Sequence, residues 1–392
     1  MTPNQVIPYY PTYADLDSVV SSGNFKEIRL FVDVKNISTG MYSGHVVEDI
    51  VEMSSGKFVC SVIFSALLSF VAFHRVYAMK RSLNIKMYFF MESGQSFFHT
   101  NILPSYKAER KLSPLGNLTT EDMLDYFRIV RKNLELSEFV LSKIKGISFI
   151  RLVNLEADFV PYYTIRYLSE PSKDVLNIIY STDKDLLQTL TIPDHNVVQF
   201  FRTLKKKMFI TKDQVMPLVM NIKSSTVDPQ FAPLAQAIMG DPSDGVPGFY
   251  GIGGSRCNKI LEILVPKLNC SMDDLSFRAS TGEDLFKGVE FKEKDEELPD
   301  GILRTVNRVL REEKYTKIVS KNLKLVSFDT LIKSLQNDVN GIPKLDFVRV
   351  QVENLDTDLV TKEQLSKAIV DLGIIVEDYV LDQIFLGDSF AL

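Results

Sequence analysis

Acidic side chains recur where short apolar runs end. Asp33 lies at the end of the run Ile28–Val34, and Glu92 follows Ile85–Met91. Glu156 and Asp158 follow Ile147–Val153, and Asp183 and Asp185 follow Val175–Tyr180. Two further acids, Asp241 and Asp244, sit in Gly240-Asp-Pro-Ser-Asp-Gly-Val-Pro-Gly248. A single Asp after a strand is ordinarily a helix cap, so Asp183 and Asp185 alone would say little. Acid after every one of these runs says more. If the strands are parallel, the carboxylates converge on one sheet edge, where they repel one another and some take up protons. Divalent cations remove that conflict. Hard oxygen ligands with no Cys or His among them suit Mg²⁺ or Mn²⁺, and two such ions roughly 3.5–4 Å apart can drive an in-line phosphoryl displacement.

The elements that must position these acids are legible as a pattern. The apolar runs read as buried strands, with helix-patterned segments between them: one from about Lys57 to Ser82, another from the Thr119/Asp122 start to about Lys145. Alternation of this kind predicts an α/β domain with a mostly parallel central sheet flanked by helices. In such sheets the working crevice lies beyond the carboxyl ends of the strands, where the acids are. From about Met216 the pattern turns helical, broken by a Gly-rich stretch from Gly245 to Gly254. The charged segment Phe291–Asp300 reads as a linker or surface loop, and beyond it come helical patterns and one strand-like run, Phe347–Val352.

Composition narrows the field. The chain has 392 residues, 45% hydrophobic and 24% charged, enough to bury a substantial core. Its net charge of −5 means that any nucleic-acid contact must come from local basic patches. Cys60, Cys257 and Cys270, with His45, His74, His99 and His195, show no zinc-finger or disulfide spacing, and a reducing cytoplasm fits best. The apolar stretch Phe58–Phe73 is shorter than the ~20 residues of a membrane span and carries three serines, so a buried helix is expected and no membrane partner. Asn354, Asp356 and Asp358 resemble a calcium loop, but Leu359 stands where that loop needs glycine. Gly251-Ile-Gly253 follows no strand and has Arg256 at the third glycine position, which rejects a dinucleotide fingerprint.

Several segments together resemble the 5′-nuclease family, which includes flap endonucleases, phage RNase H enzymes and the 5′-nuclease domain of bacterial DNA polymerase I. They are Ser181-Thr-Asp-Lys-Asp-Leu-Leu-Gln188, Gly240 through Gly253, Glu156-Ala-Asp158 and Tyr106-Lys-Ala-Glu-Arg110, with Asp33 where the family places its first acid. The resemblance covers about residues 28 to 265 and is weak outside these motifs, as in a divergent, phage-encoded member acting in a bacterial cytoplasm. It implies a PIN-like catalytic α/β domain (28–215) after an N-terminal extension (1–27), with a helical arch at about 93–118. A helix–three-turn–helix DNA-binding region (216–290) and a mainly helical C-terminal region (291–392) would follow.

The resemblance also implies roles. Asp33, Glu92, Glu156, Asp158 and Asp183 would surround one metal, and Asp185, Asp241 and Asp244 would serve a second. Tyr106, Lys107 and Arg110 would stand at the base of the arch, the two cations on the scissile phosphate. Gly251, Gly253, Gly254, Ser255 and Arg256 would hold duplex backbone at a helix N-terminus, with K⁺ on the turn's carbonyls. The implied activity is 5′-3′ exonucleolytic or flap-endonucleolytic hydrolysis of DNA or of an RNA–DNA hybrid during replication or primer removal. The implied actor is a monomer, with a sliding clamp or single-strand-binding protein as further partners. Four positions depart from the pattern: Glu92 for aspartate, Phe159 for a second aspartate, His99 for arginine and Ser255 for lysine, with Arg256 beside it. Glu92 and Phe159 motivate an alternative, a catalytically impaired protein that binds branched DNA. Lys205-Lys206-Lys207 fits a solvated hairpin turn as well as a phosphate contact, and the apolar tail from Ile384 to Phe390 fits packing onto the domain better than docking to a clamp.

Overall fold

The structure, a computed structural model, describes residues 11–37, 57–108, 134–202, 207–287, 312–355, 359–371 and 378–385, with a few isolated positions between them. Its centre is a six-stranded sheet in the order β3-β2-β1-β4-β5-β6. The strands are β1 (Glu27–Asp33), β2 (Asn84–Ser93), β3 (Ile147–Val153), β4 (Val175–Tyr180), β5 (Asn196–Arg202) and β6 (Lys207–Ile210). The first five are mutually parallel, and β6 returns antiparallel to β5.

Both faces of the sheet are covered, which is why the strands are almost continuously apolar. Successive side chains enter opposite cores. Phe31, Tyr88, Phe90 and Ile179 point into one, while Leu30, Val32, Phe89 and Ile178 point into the other. On the second face lies the helix Lys57–Lys80, whose Phe64, Leu67, Phe70 and Val71 are fully buried. The apolar stretch Phe58–Phe73 thus lies within a core helix, and among the described residues no helix is long and apolar enough to cross a membrane. The short C-terminal helix Asp378–Phe385 packs there too, burying Leu381 and Ile384. The first face carries the helices Phe159–Tyr167, Ala232–Met239, Gly254–Leu264, Met272–Thr281, Glu313–Val326 and Phe328–Gln336.

The structure corrects and extends the reading in three places. The run Phe347–Val352 lies inside the helix Ile342–Glu353, not in a strand. Valines at 348, 350 and 352 imitate the two-residue period of a strand, but Pro343 fits the first helical turn and Leu345 and Val348 supply the buried face. β5 and β6 were not expected, although Lys207 opens β6 beside the anticipated hairpin. The helix Tyr13–Val20, closed by a Thr12/Asp15 capping box, lies within the N-terminal extension. The Thr119/Asp122 helix start, Arg110, Lys205, Lys206, the segment Phe291–Asp300, Asp356, Asp358 and the tail beyond Phe385 lie outside the described residues.

Candidate active site

The chain runs from β1 outward through β2 to β3, then crosses back to β4 on the other side of β1 and continues to β5. The crevice between the carboxyl ends of β1 and β4 is therefore the topological switch point. Asp33 closes β1 there, and Asp183 follows β4. The turn after β4 is tightly fixed. Ser181 Oγ donates to Asp33 Oδ2 at 2.8 Å and accepts from Asp183 N–H at 3.0 Å. Asp183 Oδ1 accepts from Asp185 N–H at 2.9 Å, and Asp33 Oδ1 accepts from Asn36 N–H at 3.0 Å. From the interior of β5, Gln199 Nε2 donates to the carbonyls of Ser181 at 2.9 Å and Asp183 at 2.8 Å. A neutral carboxamide thus pins the acidic turn without adding charge.

The other strand ends deliver the remaining acids. Glu92 stands at the end of β2 and pairs with Lys35 Nζ at 2.8 Å. Asp158 precedes the helix Phe159–Tyr167, yet its side chain makes no capping hydrogen bond, so the ordinary explanation for such an Asp fails here. Glu156 and the buried Asp244 share Tyr106 and Lys107. The Tyr106 hydroxyl lies 3.0 Å from Glu156 Oε2 and 3.1 Å from Asp244 Oδ2. The Lys107 ammonium pairs with Glu156 and lies 3.5 Å from Asp244 Oδ2. Asp185 Oδ1 accepts from Gln236 Nε2 at 2.7 Å, and Asp241 Oδ1 accepts from Ser243 N–H and Oγ–H at 2.9 and 2.6 Å.

Burial and neighbouring charge set the electrostatics of these acids. Burial, with the charges of Glu92 and Asp183, pushes Asp33 from 3.8 up to about 7 despite its hydrogen bonds. Burial also pushes Asp158 well above the carboxylate range, helped by Asp183, Asp33, Glu92 and Glu156. The same holds for Asp185, where Asp183, Asp241 and Asp244 add to burial. Burial opposes the charge on Glu92 too, but Lys35 and Lys107 outweigh it and hold that carboxyl below its usual value. Among the described residues, the ion pairs reaching this group of eight carboxyls come from Lys35 and Lys107. Within the described residues, burial and mutual repulsion therefore act against the ionised forms of Asp33, Asp158 and Asp185.

One part of the cluster is already spaced for a cation. One carboxylate oxygen each from Asp185, Asp241 and Asp244 falls within 4.8 Å of the others. At an effective dielectric of about 20, two carboxylates ~4 Å apart repel by roughly 4 kcal/mol, so such spacing is costly unless a cation sits among them. These residues line a cleft of about 470 Å³ with Asn36, Asp183, Gln236 and Gly240. The donor set is all oxygen, as hard divalent ions require.

Beside the acids, Lys107 adopts a left-handed backbone (φ 55°), and its amide donates to Asp244 O at 2.9 Å. Burial works against its charge, but Glu156 and Asp244 more than offset this and hold the ammonium protonated well above the ordinary lysine range. His99, where the resemblance expects arginine, stacks on Tyr106 with ring centroids 4.7 Å apart. Burial keeps its imidazole below the usual value, hence neutral. Phe159 is fully buried against Tyr163 and offers no group to the site.

The glycine-rich turn stands apart from the acids, at the start of the helix Gly254–Leu264. Gly251 has φ +74°, and a Cβ on Gly254 would lie 1.7 Å from Met220 O, so both positions require glycine. Gly253 is the N-cap, and its carbonyl accepts from the amides of Arg256 and Cys257. The amides of Gly254 and Ser255 remain at the open helix end. Arg256 Nη1 donates to Gly251 O at 3.0 Å and is otherwise exposed, as is Tyr250 at the tip. Lys35, Gln199, Gln236 and Asn36 are site residues that sequence reasoning missed. Lys35, two positions after Asp33, carried a signal; the carboxamides did not.

No family model matches the chain. A stretch of 120 residues is 36% identical to a 5′-3′ exonuclease of Aquifex aeolicus (strain VF5), covering 31% of this chain and 37% of that protein. The chain thus matches little more than a third of that curated relative's length. Among solved structures, the D15 protein of T5 co-crystallised with metal ions superimposes with a TM-score of 0.53 at 18% identity, covering 84% of this chain and all of that one. The bacteriophage T5 D15 flap endonuclease in a pseudo-enzyme–product complex with DNA and metal ions gives a TM-score of 0.54 at 17% identity, covering 84% and 99%. At these identities the likeness establishes a shared fold: a mostly parallel sheet flanked by helices, with a helical C-terminal region.

Proposed function

We propose that this chain is a divalent-metal-dependent, structure-specific 5′-nuclease that hydrolyses phosphodiester bonds in 5′ flaps, nicked or gapped duplexes, or RNA–DNA hybrids. The observation that carries this reading is the gathering of carboxyls at the switch point, three of them pushed up by burial and by one another's charge. The matched exonuclease stretch and the shared fold support it.

Asp33, Glu92, Glu156, Asp158 and Asp183 would hold one Mg²⁺ or Mn²⁺, and Asp185, Asp241 and Asp244 the other. When bound, two such ions supply Lewis acidity on both sides of an in-line displacement at phosphorus. The chain's own groups do the rest. Tyr106 keeps Glu156 and Asp244 in register through its hydroxyl. Lys107, protonated throughout the working pH range, leaves its carboxylate partners for a non-bridging phosphate oxygen and steadies developing charge; Arg110 shares that role. The open helix end at Gly254 and Ser255, with Arg256, holds duplex backbone away from the chemistry. K⁺ on the turn would use carbonyls other than that of Gly251, which accepts from Arg256.

The direct test uses a labelled 5′-flap duplex and a labelled RNA–DNA hybrid with Mg²⁺ or Mn²⁺. Shortened products from the 5′ side are expected; folded protein that yields none at any metal concentration overturns the reading. Lys107→Ala should lower kcat by about 10²–10³-fold with little change in KM, as expected for a lost transition-state contact. Equal losses in binding and turnover would instead make Lys107 a ground-state anchor. Arg256→Ala should weaken duplex binding several-fold and reduce the slope of log K against log salt by about one phosphate contact. An unchanged slope would remove Arg256 from the interface.

A further inference from the structure

We infer that Asn322 is a positioning residue for the Asp241–Asp244 turn, which makes the helix Glu313–Val326 a working part of the active site. Its functional meaning rests on the nuclease reading above. The helix Ala232–Met239 ends just before the acidic turn. Continued helically, it would bring the Asp241 amide to Ala237 O, but that amide donates to Val246 O at 3.0 Å and closes the turn on itself. Ala237 O is left as an orphan helix-end carbonyl. Asn322 Nδ2 reaches in from the helix Glu313–Val326 and donates to Ala237 O at 2.8 Å and to Pro247 O at 2.7 Å. One carboxamide therefore clamps the incoming and outgoing limbs of the turn that carries Asp241 and Asp244.

Three features argue for more than packing. Asn322 is fully buried, and its Oδ1 has no partner among the described residues. An apolar side chain would avoid that cost, so the two donated hydrogen bonds are what the position supplies. The limbs are also pressed together at the clamped neck, where a Cβ on Gly248 would lie 1.7 Å from Met239 O, so small displacements there have nowhere to relax. Finally, the C-terminal end of the same helix, one turn beyond Asn322, is tied to the third acid. Gln188 Nε2 donates to Asp185 O at 2.9 Å and Val326 O at 3.0 Å, while its Oε1 accepts from Phe328 N–H at 2.8 Å. One helix thus fixes the backbone on both sides of the Asp185, Asp241 and Asp244 group. Both clips are neutral amides that hold backbone carbonyls, so they fix the turn without occupying the carboxylate oxygens a cation would use.

The test is Mn²⁺ binding to the metal-free protein by calorimetry, for wild type, Asn322→Leu (similar volume, no donor) and Asn322→Ser (smaller, one donor). We expect two ions in wild type. In the Leu variant the ion held by Asp185, Asp241 and Asp244 should bind about tenfold more weakly, while the other is unaffected. Serine should fall between and serves as the test if leucine prevents folding. Turnover on flap DNA should fall in parallel, recover as Mg²⁺ is raised, and leave KM for DNA unchanged. Folded variants that bind two Mn²⁺ with wild-type affinities, whatever their melting temperature, would reduce Asn322 to a packing residue and overturn the inference alone. Wild-type protein that binds no Mn²⁺ would sink the nuclease reading, and this inference with it.

Discussion

Asp183→Asn is expected to lower flap cleavage by about a thousandfold or more while leaving flap binding in EDTA within a few-fold of wild type. A loss of that size corresponds to about 4 kcal/mol of transition-state stabilisation. Asp183 is singled out because its charge acts on both halves of the site: it helps raise Asp33 and Asp158 on one side and Asp185 on the other. The amide is nearly isosteric, and its oxygen can still accept from Asp185 N–H, so the turn should survive while the charge does not. Neither the glycine-rich turn nor Arg256 is touched, which is why binding should persist. Single-turnover kinetics and fluorescence anisotropy on one flap substrate separate the two quantities. Binding lost together with cleavage would make Asp183 a structural anchor of the DNA surface.

The second large effect concerns stability. Asp33 titrates near 7 in the folded, metal-free protein against an ordinary value of 3.8, so the folded state binds this proton more tightly than the unfolded chain. Its contribution is fully present below about pH 4 and is lost as pH rises through about 7. A shift of this size amounts to roughly 4 kcal/mol at alkaline pH. Asp33→Asn should therefore melt above wild type at pH 8 without metal, and the gap should close towards pH 5. Mn²⁺ reverses the order. Wild type at pH 8 should gain roughly 2.7 kcal/mol per site at a metal concentration 100 times Kd, and Asp33→Asn should gain less. Melting curves at two pH values, with Mn²⁺ or EDTA, decide the matter. A variant that is less stable than wild type at pH 8 in EDTA would mean that the Asn36 and Ser181 hydrogen bonds outweigh burial and repulsion.

The strand ends were legible because β1 to β4 are buried on both faces, which leaves uninterrupted apolar runs with an acid just beyond each. β5 escaped notice for a functional reason: Asn196-Val-Val-Gln-Phe-Phe-Arg202 carries Gln199 in its middle, and that carboxamide is spent on the acidic turn. The helix Ile342–Glu353 was misread because β-branched residues at alternate positions carry the strand signal whatever the backbone does. Asp185, Asp241 and Asp244 were visible as acids, but their gathering within 4.8 Å depends on clamps whose partners are remote in sequence. Asn322 meets carbonyls 85 and 75 residues away, and nothing in its neighbours announces that. The departures read differently in three dimensions. Glu92 keeps its place in the cluster through Lys35, and Phe159 has joined the core.

Crystals soaked in Mn²⁺ and measured at the manganese absorption edge test the whole account most directly. It predicts two anomalous peaks in the β1/β4 crevice, one among Asp33, Glu92, Glu156, Asp158 and Asp183 and the other among Asp185, Asp241 and Asp244. It would be contradicted by a crevice without peaks, its carboxyls still held by Lys35 and Lys107.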